Sequence, residues 1–252
     1  MAVESQARGL RLPALGDGGG GAPGASLRIF RVGGIDVSVH VSWLLVFALV
    51  TWSLATGFFP QALPGLDARS YVFVGAVAAL LLFVSVLIHE LAHSFTAKAK
   101  GLEARSITLF IFGGVSNLGG EAKQPSTEFL VAVVGPLTSF AIALVTFLVG
   151  SASAPGSIVA AVAAYLTVIN LLLGVFNLIP GFPLDGGRVF RSIVWNATGS
   201  LRRGTEVAVV VSRFIAYGFL VWGFLRLLSG DLIGGLWIAA IGWFLENAAG
   251  AS

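Results

Sequence analysis

The chain has 252 residues, 56% of them hydrophobic and 11% charged, with a net charge of +3. Soluble domains carry roughly 25% charged residues, so the composition excludes an ordinary soluble domain and describes an integral membrane protein. Cysteine is absent, which excludes disulfides and thiolate metal sites and leaves His, Asp and Glu as the donors for any transition metal.

Residues 1–26 are rich in Gly, Ala and Pro around Gly18-Gly19-Gly20-Gly21 and read as a disordered cytoplasmic tail. From Leu27 to Val41 apolar and polar residues alternate about Gly33-Gly34, the pattern of a small β-hairpin at the membrane surface. His40, just before the first apolar stretch, reads as an interfacial histidine rather than a ligand. Six apolar segments follow, at 41–59, 71–97, 129–150, 157–179, 207–228 and 232–249. A membrane-crossing helix needs about 20 apolar residues, so the fold class predicted is an all-α polytopic membrane protein with six spans.

Arg8, Arg11, Arg28, Arg31, Lys98, Lys100, Arg105, Lys123, Arg188, Arg191, Arg202 and Arg203 lie on one side of these spans; only Arg69 and Arg226 occupy the opposite loops. This positive-inside bias puts both termini in the cytoplasm, as for a multi-pass plasma-membrane protein. Basic residues spread along membrane boundaries give no sign of nucleic-acid binding.

The second apolar segment ends in His89-Glu90-Leu91-Ala92-His93. Histidines four apart project from one helix face, the spacing at which two imidazoles grip one zinc ion. Glu90 is then placed to take the proton of a water that the metal activates. The competing explanation is a chance cluster of polar side chains at a helix end. Ionisable groups at membrane depth are costly, and two of the three histidines of the chain fall here, which favours zinc.

Residues 105–118 are β-branched and aromatic and too short to span, which predicts a strand-turn-strand element. Gly113-Gly114 within it either lets backbone approach the site or makes a turn, and spacing favours the turn. Gly135-Pro136 kinks the third span or opens a packing notch. The fourth span stops in Asn177-Leu178-Ile179-Pro180-Gly181-Phe182-Pro183-Leu184-Asp185-Gly186-Gly187-Arg188, with a helix expected over 189–196. A catalytic zinc takes three protein ligands, and Asp185 is the candidate third, where Gly186-Gly187 permits unusual backbone angles. An ordinary N-cap is an equal reading of Asp185 from its local sequence. Asn177 can donate to a substrate carbonyl or an oxyanion, or simply bond its own helix end.

At these residues the chain resembles the site-2 protease family of intramembrane zinc metalloproteases. The likeness runs through H-E-L-A-H, Leu109 to Val115, Glu128 to Ala132, Gly135 to Ser139 and the Asn177 to Arg188 signature, with Val37 to Trp43 similar to the archaeal and bacterial branch. It implies a three-helix catalytic core in spans two to four, within an intramembrane metalloprotease domain over 27–252. It implies one catalytic Zn2+ held by His89, His93 and Asp185, with Glu90 as general base and Asn177 as oxyanion or substrate contact. Phe112, Gly113 and Gly114 become the strand to which an unwound substrate pairs. The implied partners are single-span membrane proteins, such as anti-sigma factors trimmed by another protease, in regulated intramembrane proteolysis. Relatives of this branch often carry paired CBS domains after the last span; the sequence stops at Ser252, so the expectation is either that such control is absent or that the chain has been shortened. Two alternatives stand beside this: a protease with a late glutamate ligand, Glu206 or Glu246, and a metal transporter or catalytically silent scaffold.

Overall fold

A computed structural model describes residues 26–110 and 113–250; the expected tail, apart from Ser26, and Phe112 lie outside the described residues. Among the described residues six helices are long and apolar enough to cross a membrane: Ser42–Ala62, Ala68–Ala99, Pro125–Ala152, Ile158–Asn177, Leu201–Leu228 and Leu232–Gly250. The architecture is an all-α membrane bundle with one small sheet at an end of it.

Strands β1 (Ser26–Val32) and β2 (Ile35–His40) form the expected hairpin. Gly33 and Gly34 supply the turn with φ of 55° and 81°, a left-handed pair that side chains resist. Helix α1 (Ser42–Ser53) runs through one π-helical turn, Leu54–Phe58, into the short α2 (Phe59–Ala62). Helix α3 (Ala68–Ala99) starts where the Asp67 carboxylate accepts the Ser70 N–H at 2.7 Å, a regular N-cap.

Strands β3 (Ala104–Phe110) and β4 (Gly113–Leu118) follow, and the sheet order is β1-β2-β3-β4. The outer pairs are antiparallel and the central β2–β3 pair is parallel, its crossover supplied by α1, α2 and α3. Ile35, Ala104, Ile107 and Leu109 from the sheet bury themselves with Val86, Leu87 and Leu91 of α3, which fixes the sheet on the helix carrying the two histidines. Helices α4 (Pro125–Ala152), α5 (Ile158–Asn177), α6 (Asp185–Thr198), α7 (Leu201–Leu228) and α8 (Leu232–Gly250) complete the chain.

Four local expectations are revised. Gly113-Gly114 opens β4 rather than forming a turn, with Gly113 paired to Phe110 and Gly114 to Leu109 of β3. The helix expected over 189–196 already begins at Asp185. Gly186 and Gly187 lie inside α6 and neither is among the positive-φ glycines; a Cβ on Gly187 would lie 2.7 Å from the Phe182 nitrogen, so close packing is their use. Helix α7 starts at Leu201, ahead of its apolar stretch, because Ser200 caps the Arg203 N–H and Arg202 pairs with Glu206 at 2.8 Å.

Candidate metal centre

His89 and His93 stand one turn apart on the inner face of α3 and are almost fully buried. Opposite them α4 presents Val131, Gly135 and Ser139, four residues apart and therefore on one face. His93 Nδ1 lies 2.5 Å from the Val131 carbonyl oxygen. A carbonyl only accepts, so Nδ1 carries the proton and Nε2 offers a lone pair. His89 Nδ1 meets Ser139 Oγ at 2.9 Å, which leaves its Nε2 facing the same point. Partners of this kind on the far ring nitrogen orient metal-binding histidines.

Asp185 Oδ2 closes the group, 3.1 Å from His89 Nε2 and 3.2 Å from His93 Nε2, with the two Nε2 atoms 3.1 Å apart. Three acceptors turned toward one another repel unless a cation or proton lies among them. A tetrahedral zinc with ligand bonds of about 2.0 Å has donor–donor edges of about 3.3 Å, so the triangle has the right size for zinc. Room is kept by Gly135: a Cβ there would lie 2.6 Å from His89 Nε2 and overlap the His93 ring. Burial pushes the Asp185 carboxyl up, but the two imidazoles outweigh it and hold it at about 2, ionised as a ligand must be.

Asp185 is the first residue of α6 and its carboxylate faces the imidazoles; the N-cap position is Leu184, which makes no side-chain cap. Two anchors hold this segment. Glu128 of α4, 1% exposed, binds Arg191 of α6 (Nε at 2.7 Å), with Arg188 Nε at 3.9 Å. On the other side the Phe182 N–H donates to Ser212 Oγ of α7 at 2.7 Å.

Glu90 leaves the helix beside the cluster, and Ser116 Oγ of β4 donates to its Oε2 at 2.7 Å. Ser94, one turn on, donates to the same Ser116 hydroxyl at 3.3 Å. Strand β4 passes directly over the carboxylate, since a Cβ on Gly114 would lie 2.9 Å from Glu90 Cδ. Asn177 Nδ2 donates to the Leu173 carbonyl oxygen at 3.0 Å on its own helix, and that bond uses one of its two hydrogens. His40 bonds Ser42 Oγ at 2.8 Å at the start of α1. Glu206 is exposed and paired with Arg202. Among the described residues, the His, Asp and Glu side chains that converge as a possible metal site are His89, His93 and Asp185.

Sequence reasoning gave no role to Val131, Ser139, Ser116, Glu128 and Ser212, although Glu128, Val131 and Ser139 lie in segments that carry the family likeness. A signal existed for two of them: Glu128 and Ser139 are polar residues on the Gly135 face of a membrane helix, where polar groups are expensive.

The family model for peptidase family M50 matches residues 77–156 and 151–220. The protein Rip3 of Mycobacterium tuberculosis is 43% identical over 224 residues, covering 87% of this chain and 56% of Rip3. The zinc metalloprotease MJ0392 of Methanocaldococcus jannaschii is 33% identical over 202 residues, covering 80% of this chain and 55% of that protein. The chain thus spans little more than half the length of these relatives. Among solved structures, the site-2 protease from Methanocaldococcus jannaschii superposes with a TM-score of 0.58 at 31% identity, covering 90% of this chain and 94% of that one.

Proposed function

Since this chain belongs to peptidase family M50, the site-2 protease family, we propose that it is an intramembrane zinc metalloendopeptidase. In this reading it hydrolyses a peptide bond in or near the transmembrane segment of single-span membrane proteins. Residues 27–252 form its catalytic domain in the plasma membrane, with both termini cytoplasmic. The observation that carries the reading is the meeting of His89 Nε2, His93 Nε2 and Asp185 Oδ2 at 3.1–3.2 Å, with both histidines and Glu90 on a helix long and apolar enough to cross a membrane.

His89, His93 and Asp185 would hold one zinc ion. When bound, that ion supplies the Lewis acidity that makes water a nucleophile at neutral pH and polarises the scissile carbonyl. Glu90 accepts the proton of the attacking water and returns it to the departing amine. Ser116 holds Glu90 toward the cluster by its hydrogen bond to Oε2. The second amide hydrogen of Asn177 is available to a substrate carbonyl.

A helical substrate shields its peptide bonds, so it must unwind first. Strand β4 ends the sheet and pairs with β3 on one side, leaving its outer edge for an extended chain. Pairing along Phe112, Gly113 and Gly114 would lay the substrate backbone beside Glu90, against which Gly114 leaves no space for a Cβ. His89 lies about 15 Å along the helix axis from the end of α3 at Ala99, near enough to the sheet end for water to enter from the cytoplasmic side. Substrates of this kind include membrane-bound regulators such as anti-sigma factors released by regulated intramembrane proteolysis.

The test compares the membrane proteome of cells carrying the native protein with that of cells carrying Glu90→Gln. A single-span protein that accumulates in trimmed form in the variant is the expected result. Unchanged processing of every single-span protein would sink the proposal.

A further inference from the structure

We propose that Ser212, in the middle of α7, is a positioning residue for the metal ligand Asp185; this rests on the zinc-ligand reading given above. Ser212 is 1% exposed within a membrane-spanning helix, where an apolar residue would satisfy packing. Its hydroxyl uses both of its capacities. It donates to the Ala208 carbonyl oxygen at 2.7 Å, one turn back, and a lone pair accepts the Phe182 N–H at 2.7 Å. That N–H belongs to the loop between α5 and α6, outside any helix or strand. Without the hydroxyl it would be a buried donor with nothing to bind.

The constraint travels three residues to Asp185. Pro183 fixes its own φ. Leu184 is wedged with Ala216 of α7 and Leu245 of α8, and its N–H donates to the Gly181 carbonyl oxygen at 2.9 Å. The Leu184 carbonyl oxygen then accepts the Gly187 N–H at 3.0 Å. The Asp185 carboxylate therefore takes its position partly from α7, alongside the Glu128–Arg191 anchor to α4, whereas His89 and His93 take theirs from α3 and α4 alone. The ligand-bearing segment is thus held at both ends, by Ser212 of α7 before Asp185 and by Glu128 of α4 after it, and Ser212 is the hold nearer the ligand.

The test is a double-mutant cycle on the purified 252-residue chain in detergent micelles. Zinc affinity is read by competition with a chromogenic chelator for wild type, Ser212→Ala, Asp185→Ala and the double variant. Ser212→Ala is expected to weaken zinc binding by about tenfold, the lower end for outer partners of a metal site. Because the hydroxyl acts through Asp185, the double variant is expected to bind no more weakly than Asp185→Ala. Wild-type affinity in Ser212→Ala, or a further tenfold loss in the double variant, overturns the inference while leaving the ligand assignment intact. A wild-type chain that binds no zinc overturns the assignment itself, and the inference with it.

Discussion

Replacing Gly135 by alanine adds one methyl group and should cost the protein its metal. The new Cβ would lie 2.6 Å from His89 Nε2 and 2.5 Å from His93 Cε1. Ordinary contact between such atoms is about 3.5 Å, so the imidazoles must retreat by about 1 Å. They are not free to swing, because Ser139 and the Val131 carbonyl hold their far nitrogens. Zinc sites tolerate departures of only about 0.2 Å from ideal bond lengths. We therefore expect zinc affinity to fall at least about 100-fold, or about 2.8 kcal/mol at 1.4 kcal/mol per tenfold. Alanine is also a better helix former than glycine by about 1 kcal/mol, so the metal-free helix gains propensity while the site is lost. The assay is thermal unfolding in micelles with and without zinc, since a ligand stabilises the fold by RT ln(1 + [L]/Kd). Wild type should show a zinc-dependent rise that Gly135→Ala lacks. A variant with the full wild-type zinc response would refute the reasoning.

Gly114→Ala makes the complementary prediction: the added carbon presses on Glu90 rather than on a ligand, so zinc is kept while cleavage falls at least about 100-fold. Normal turnover in this variant would show that β4 does not constrain the base. Ser116→Ala removes the donor to Glu90 and should lower kcat about tenfold with zinc content unchanged, as judged by cleavage of a reconstituted single-span substrate. An unaltered kcat would remove Ser116 from the mechanism. Glu128→Ala leaves Arg191 without its buried partner and should cost about 3–5 kcal/mol of stability, measured by denaturant unfolding in micelles. A loss below about 1 kcal/mol would mean that the pair does not hold α6.

What could be read from the sequence was whatever one segment states about itself. Six apolar stretches became six helices long and apolar enough to span a membrane, because each needs only its own length and composition to be recognised. The Gly33-Gly34 hairpin and the His89–His93 spacing were legible for the same local reason. Asp185 was balanced between ligand and cap, since both roles suit an aspartate before a helix; contact with α3 decides where its carboxylate points. The use of Gly135 was only half visible. Its spacing from Val131 and Ser139 marks a face of α4, but nothing local says that the face meets two imidazoles. Ser116 and Ser212 act across distances in the chain that only the packed fold closes. The glycines after Asp185 were misread as sources of unusual angles because close backbone packing leaves the same residue type in the sequence.

Whether His89, His93 and Asp185 hold one zinc ion is decided by elemental analysis of the purified chain and of four variants: His89→Ala, His93→Ala, Asp185→Ala and Glu90→Gln. One zinc per chain is expected in wild type and in Glu90→Gln, and much less than one after purification of the three ligand variants, whose affinity is weakened. Full zinc retained by Asp185→Ala, or zinc lost from Glu90→Gln, would contradict it.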